Sequence, residues 1–150
     1  MKPCLELKHA YTHEFGSALV AGFEVRVHFG EFGGVPTRFY RAGSGKPVLL
    51  LHGVGMTADS WCRTIGPLAA DWDVIAPDLL DNGFSGSGTY TGGPPHAPTL
   101  DHLEALLDGL ELERVSIIGS SFGATLAAHL YFRAQKRIER LVLVSSGSVF

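Results

Sequence analysis

The sequence has only two cysteines, Cys4 and Cys62, in 150 residues. Two cysteines are too few for a disulfide framework, and a structural zinc site needs four ligands at short paired spacings that this sequence lacks. We therefore expect both cysteines to be reduced thiols, and we expect neither a metal site nor a cofactor.

The chain also has little net charge, because 12 Lys and Arg against 15 Asp and Glu give a formal net charge of -3. This balance offers no basic surface for nucleic acid or for an anionic membrane. No apolar run is long enough to span a bilayer, and charged residues interrupt the N-terminus before a signal-peptide core can form. We expect a cytoplasmic protein whose partner is a small molecule, with no nucleic acid and no membrane as partners.

Apolar residues are plentiful, at 45% of the chain, which suffices for one domain with a core over residues 1–150. Residues 24–29 and 37–41 alternate between apolar and polar, and this predicts half-exposed antiparallel strands. Four short continuous apolar runs are typical of strands buried on both faces: 48–51, 74–76, 115–118 and 141–144.

Three helical patterns lie between the apolar runs, over 61–68, 100–110 and 122–134. Strands that alternate with helices predict an α/β fold, a mostly parallel sheet with helices on both faces and the two leading strands at one edge. The Gly- and Pro-rich segment 81–98 predicts a long loop, either functional or a plain surface connection.

The pentapeptide Gly119-Ser120-Ser121-Phe122-Gly123 is a G-x-S-x-G motif placed between an apolar strand and a helical segment. In that context it is typical of a nucleophile elbow, a sharp turn that needs small residues at Gly119 and Gly123. Ser121 is the candidate nucleophile, and the N–H of Phe122 is placed to donate to an oxyanion. The alternative is a Gly/Ser-rich turn with no chemical role.

A second motif, His52-Gly53-Val54-Gly55, follows the apolar run 48–51. If this strand and the strand before Ser121 are neighbours, their connections leave in opposite directions and open a crevice at a topological switch point. The N–H of Val54 would then supply a second oxyanion donor.

These motifs, with Ala76-Pro77-Asp78-Leu79 and Gly83-Phe84-Ser85 between them, resemble the N-terminal half of the α/β-hydrolase family over roughly residues 20–150. The resemblance implies Ser121 as nucleophile and the backbone at Val54 and Phe122 as oxyanion hole. It also implies that His52 and Gly53 shape the oxyanion loop, and that His52 is not the base.

A serine at the elbow argues against the dehalogenase and epoxide-hydrolase branches of that family, which use aspartate there. Asp81 and Asn82 depart from the more usual Gly-His, which leaves the subfamily open. The resemblance implies hydrolysis of an ester, thioester, amide or carbon–carbon bond through an acyl-enzyme.

The histidine and acid that would complete a triad follow the serine in this family, on loops after later strands. His129 lies eight residues beyond Ser121, roughly 12 Å of helix rise. His102 is predicted to lie opposite the apolar stripe and to face solvent. His96 is the one histidine on a loop long enough to swing toward Ser121, but we do not expect it to do so, and we expect no complete triad from this chain. We therefore expect a partial hydrolase domain, truncated after about the sixth strand and without its cap, and weakly active or inactive alone. It is either a fragment of a larger hydrolase or one piece of a pair that a complementing C-terminal half completes.

Two other functions stay open at this stage. The segment Gly53 to Ala58 fits G-x-G-x-x-A after a strand, and Asp78 lies 25 residues beyond Gly53, near the spacing of a dinucleotide-binding fingerprint. The missing histidine also favours a non-catalytic interaction protein on a hydrolase scaffold.

Overall fold

The computed structural model describes residues 17–20, 23–88 and 94–147. Seven strands form one sheet in these residues: β1 (Ser17–Val20), β2 (Phe23–Phe32), β3 (Val35–Ala42), β4 (Lys46–Leu51), β5 (Trp72–Pro77), β6 (Val115–Ser120) and β7 (Ile138–Val144). Their order across the sheet is β1-β2-β3-β5-β4-β6-β7.

Strands β4 to β7 are parallel, whereas β1, β2 and β3 are antiparallel and extend the sheet beyond β5. The predicted sheet and its leading strands at one edge are therefore confirmed. Strand β1 was not among the predicted strands, and β2 continues past its predicted end to Phe32.

Helices cover both faces of this sheet, as predicted. They are α1 (Ile65–Leu68), α2 (Ala97–Gly109) and α3 (Phe122–Arg133), with short 3-10 turns at Ala58–Trp61 and Gln135–Arg137. Leu49 and Leu51 of β4 face the core formed with α2 and α3. Val48 and Leu50 face the second core, which contains Ile65 of α1. Both faces of β4 are apolar because both are covered.

His102 differs from its prediction, since it is buried in α2 with 3% of its surface exposed. Thr99 and Leu106, three residues before it and four after, are buried as well. The buried face of α2 is thus wider than the leucine stripe and continues toward β3, where Thr37 is hydrogen-bonded to His102. Polar residues on a helix flank are buried when a neighbouring strand supplies a partner.

Cys62 also differs from its prediction, because it is disulfide-bonded in the structure and not a reduced thiol. Cys4 lies outside the described residues.

Candidate active site

Strands β4 and β6 are neighbours, with Leu49 paired to Ile117 and Leu51 paired to Gly119. The chain leaves β4 through α1 toward β5 on one side, and it leaves β6 through α3 toward β7 on the other. The connections diverge, and this is the arrangement in which ligands bind beyond the carboxyl ends of the strands in open α/β sheets. The predicted switch point is present.

Ser121 occupies a strained turn at the end of β6. Its φ of 53° and ψ of -117° are unusual for a residue with a side chain. Its N–H donates to the Val144 carbonyl at 2.9 Å, and its own carbonyl accepts from the N–H groups of Ala124 and Thr125 at 3.0 and 3.2 Å. These bonds fix the turn at both sides, while Ser121 itself is exposed.

The two glycines of the motif allow this turn to pack against β4. A Cβ at Gly123 would collide with the Leu51 carbonyl and would lie 2.6 Å from the His52 oxygen. A Cβ at Gly119 would collide with the carbonyl of Gly123. The first turn of α3 therefore contacts the backbone at the end of β4, and only glycine leaves room for that contact.

The loop after β4 passes directly beside Ser121. A Cβ at Gly53 would lie 3.3 Å from the Ser121 Cβ. Val54, the next residue, is 74% exposed. Within the described residues, neither Val54 nor Phe122 donates its N–H to another backbone group. Phe122 begins α3, where N–H groups have no partner in the helix and favour negative charge. The assignment of these N–H groups as oxyanion donors stays a prediction.

His52 holds this loop in place and is not available as a base. Its ring is buried, and Nε2 accepts the Leu79 N–H at 3.0 Å. The proton therefore lies on Nδ1, which donates to the Gly53 carbonyl at 2.9 Å. Both ring nitrogens are thus used in joining the loop after β4 to the start of the loop after β5.

We expect this arrangement to weaken in acid. Burial lowers the pKa of His52 below the ordinary 6.5, so the unfolded chain takes up a proton more readily than the folded one. The stability contributed by neutral His52 is then complete above pH 6.5 and is lost as the pH falls from there toward the lower folded-state pKa. Urea unfolding across this range should show a free energy of unfolding that declines with acidity.

The matched control is His52→Asn, which removes the titrating ring. This variant should be less stable at neutral pH, and its free energy of unfolding should decline less steeply as the pH falls. The decline that remains is due to His28, His96 and His102, whose pKa values are also lowered, chiefly by burial. An unchanged pH dependence in the variant would contradict the assignment.

A buried ion pair supports both loops, and sequence reasoning missed it. The Asp78 carboxylate accepts from Arg38 Nη2 at 2.7 Å, from the Ala58 N–H at 2.8 Å and from the Phe84 N–H at 2.8 Å. Arg38 and Asp78 are fully buried. Arg38 stands in a segment whose alternation suggested half exposure, so its own position gave no sign of a buried ion pair. The one available signal was the carboxylate of Asp78 in the Ala-Pro-Asp-Leu motif, because a carboxylate buried there needs a cationic partner.

The position of Asp78 argues against the dinucleotide-binding interpretation. Its carboxylate is enclosed and already bonded, so it is not accessible to a ribose hydroxyl. The segment after Gly53 also leads into the 3-10 turn Ala58–Trp61 and not into the long helix whose N-terminus binds a pyrophosphate.

The other histidines of the described residues lie away from Ser121, and His9 and His13 lie outside those residues. The His96 and His129 rings stack with centroids 4.1 Å apart, which places His96 beside the third turn of α3. Among the residues that the structure describes, no histidine is hydrogen-bonded to Ser121. In the same residues, no group of three or more His, Cys, Asp or Glu side chains is arranged to hold a metal ion. None of the described helices has the length and hydropathy needed to cross a membrane.

The chain is similar to known proteins of one fold family. Residues 46–149 match the model of the alpha/beta hydrolase fold. A 2-hydroxy-6-oxo-2,4-heptadienoate hydrolase of Pseudomonas putida is 38% identical over 122 residues, covering 78% of this chain and 43% of its own length.

Solved structures give the same result. A meta-cleavage product hydrolase is 34% identical with a TM-score of 0.75, covering 82% of this chain and 46% of its own. The epoxide hydrolase CorEH is 28% identical, also with a TM-score of 0.75, and the match covers 81% of this chain and 42% of CorEH. The chain spans about two fifths of the length of the curated relatives it matches. With two thirds of its residues matching the family model, the chain belongs to the alpha/beta hydrolase fold family.

Proposed function

We propose that Ser121 is the nucleophile of a hydrolase that cleaves a carbon–carbon bond next to a carbonyl group in a small molecule. The observation that supports this most is the strained, exposed Ser121 at the end of β6, beside Gly53 and at the start of α3. A nucleophile needs this exposure, and the adjacent N–H groups stabilise the charge that its attack creates.

The reaction proceeds through an acyl-enzyme. The Ser121 Oγ attacks the substrate carbonyl carbon and loses its proton to a base, and the carbonyl oxygen becomes an oxyanion between the N–H groups of Val54 and Phe122. When the tetrahedral intermediate collapses, the carbon–carbon bond breaks and the leaving carbon takes up a proton. Water then hydrolyses the ester at Ser121. Each oxyanion donor is worth about 10²–10³ in kcat.

The surroundings of Ser121 suit an apolar, carbonyl-containing substrate. A Cβ added at Gly53 would lie 3.7 Å from the Met56 sulfur and 3.3 Å from the Ser121 Cβ, so both side chains are close to Gly53. Val54, Met56 and Phe84 are exposed large apolar side chains on the loops at this edge of the sheet. The relatives named as hydroxy-oxo-dienoate and semialdehyde hydrolases support a carbonyl substrate, and a serine at position 121 favours them over the epoxide hydrolases.

We propose that the base and the acid come from sequence outside the residues described here. The described histidines are engaged elsewhere, and the matched relatives are more than twice as long as their matched part. The chain is then a partial hydrolase domain whose catalytic site a C-terminal half completes. The competing function is a non-catalytic scaffold.

A chimera tests this proposal. The chain is joined after β7 to the part of the Pseudomonas putida heptadienoate hydrolase that lies beyond its matched region. We expect this chimera to consume 2-hydroxy-6-oxo-2,4-heptadienoate, which is measured as the loss of dienoate absorbance. We expect Ser121→Ala to lower the kcat of the chimera by about 10⁶, as in other serine hydrolases.

The matched control is the same chimera carrying Ser120→Ala, which changes the neighbouring hydroxyl and should keep the activity. A folded chimera that is inactive on the dienoate and on p-nitrophenyl acetate would favour the scaffold. If the chimera hydrolysed only p-nitrophenyl acetate, and did so only with Ser121 present, the proposed substrate would be an ester and not a carbon–carbon bond.

A further inference from the structure

The loop that carries Val54 is exposed, so its geometry depends on the points at which it is held. Residues 54–56 are exposed, whereas Gly53 before them is buried. The Met56 N–H donates to the Gly53 carbonyl at 3.2 Å, which closes a turn around Val54. His52 holds the loop at its start. The position of the Val54 N–H therefore depends also on what holds the loop at its end.

Two aspartates hold that end, where the chain enters the 3-10 turn Ala58–Trp61. Asp78 accepts the Ala58 N–H at 2.8 Å. Asp59 and Thr57 are joined twice, because the Thr57 hydroxyl donates to Asp59 Oδ2 at 2.9 Å and the Asp59 N–H donates to Thr57 Oγ1 at 3.3 Å. Since Ala58 is fully buried, these bonds fix the end of the loop to the protein interior.

Strand β3 supplies a partner for each aspartate. Arg38 Nη2 pairs with Asp78 at 2.7 Å, and the Tyr40 hydroxyl donates to Asp59 Oδ1 at 2.7 Å. Arg38 and Tyr40 are two positions apart, so their side chains lie on the same face of the sheet, and both are fully buried. The end of the loop is thus held by β3, although β5 lies between β3 and β4, the strand that the loop follows.

The two contacts with β3 differ in what their removal would do. Breaking the Arg38–Asp78 pair would leave an uncompensated buried charge, and the whole fold would be destabilised. The Tyr40 hydroxyl is a single neutral group, and phenylalanine in its place keeps the ring and its packing. The hydrogen bond from Tyr40 to Asp59 is therefore the contact at which the loop can be loosened while the fold is kept.

We propose that Tyr40 is a positioning residue for the oxyanion hole, because its hydroxyl, acting through Asp59, keeps the Val54 N–H where a developing oxyanion requires it. This role rests on the proposed hydrolysis at Ser121. An oxyanion donor must lie about 2.7–3.1 Å from the charged oxygen, and a misplacement of about 1 Å can cost about 10² in rate. Thr57, which Asp59 holds, is only three residues beyond Val54.

The first measurement follows amide hydrogen exchange in the 150-residue chain labelled with ¹⁵N. The Met56 and Ala58 N–H groups report on the loop, because their hydrogen bonds must open before they exchange. We expect Tyr40→Phe to speed their exchange about fivefold, the effect of one lost hydrogen bond. Asp59→Ala removes the same bond from the other side, should have the same effect, and decides the matter if Tyr40→Phe does not fold.

The second measurement separates a positioning role from support of the fold. In the chimera described above, Tyr40→Phe should lower kcat about tenfold and leave KM within about twofold, because the oxyanion donor acts in the transition state. The matched control is Tyr131→Phe, which removes a hydroxyl that accepts from Gln135 Nε2 at 2.7 Å on α3. This control should leave the exchange rates, kcat and KM unchanged.

The outcomes distinguish this proposal from the proposed function. Unchanged exchange at Met56 and Ala58 in Tyr40→Phe would overturn the positioning role, whether or not the chimera is active. Faster exchange with an unchanged kcat in an active chimera would overturn it too, and the proposed hydrolysis would stand. An inactive chimera that carries Tyr40 would contradict the proposed function, and the exchange rates would still decide whether Tyr40 holds the loop.

Discussion

The 150-residue chain alone should hydrolyse p-nitrophenyl acetate with a kcat about 10⁶ lower than that of a complete serine hydrolase, because losing the histidine costs that much in this type of enzyme. A serine hydroxyl is a weak nucleophile until a base removes its proton. His52 is committed to Leu79 and Gly53, and His96 and His129 stack on each other. The residual rate should come from the oxyanion donors and from binding.

The measurement compares initial rates for the chain, for Ser121→Ala and for the His96→Ala variant. We expect all three to be close to the buffer rate. A rapid turnover that disappears in Ser121→Ala would contradict the prediction, because it would require a base that the described residues do not place at the serine. If His96→Ala also removed that turnover, the stacked pair would have to open and bring His96 to the serine.

Gly123→Ala should destabilise the chain by more than about 4 kcal/mol, enough to unfold many domains of this size. The added Cβ would collide with the carbonyl of Leu51 and crowd that of His52. These backbone groups cannot rotate away as a flexible side chain can, so α3 would have to move away from β4. Gly119→Ala should behave similarly, since its Cβ would meet the first turn of α3.

Two controls separate this collision from other effects of replacing residues at the site. Gly55→Ala places a Cβ at a φ of 67° with nothing within 4 Å, so it reports backbone strain alone, about 1–2 kcal/mol. Ser121→Ala removes only a hydroxyl and should change stability by less than that. Chemical denaturation of all four variants measures the differences. A Gly123→Ala protein as stable as Gly55→Ala would contradict the tight packing of the elbow.

Local patterns in the sequence were sufficient for the order of the strands from β2 onward and for the elbow. Runs such as 48–51 and 115–118 are apolar at every position because such strands are covered on both faces, and that requirement is visible without knowing the neighbours. The turn at Ser121 was predictable from its G-x-S-x-G pattern, because the close backbone packing at Gly119 and Gly123 leaves no room for a Cβ and restricts both positions to glycine.

Contacts between distant segments were beyond those patterns. The sequence indicated that β4 and β6 could be neighbours, but only the folded sheet pairs Leu51 with Gly119 and brings Gly53 beside Ser121. The Arg38–Asp78 pair joins residues 40 positions apart. Alternation along one strand identifies which face a residue is on, but it does not identify what covers that face.

His102 shows the same limit in a helix. From the 3.6-residue period the sequence predicted that it lies on the face of α2 opposite the leucine stripe and meets solvent, and the structure contradicts this. Whether a flank is exposed depends on the element packed beside it. Here β3 places the Thr37 hydroxyl 2.7 Å from the Nε2 atom of the ring, so the tertiary structure decided that His102 is buried and bonded to Thr37.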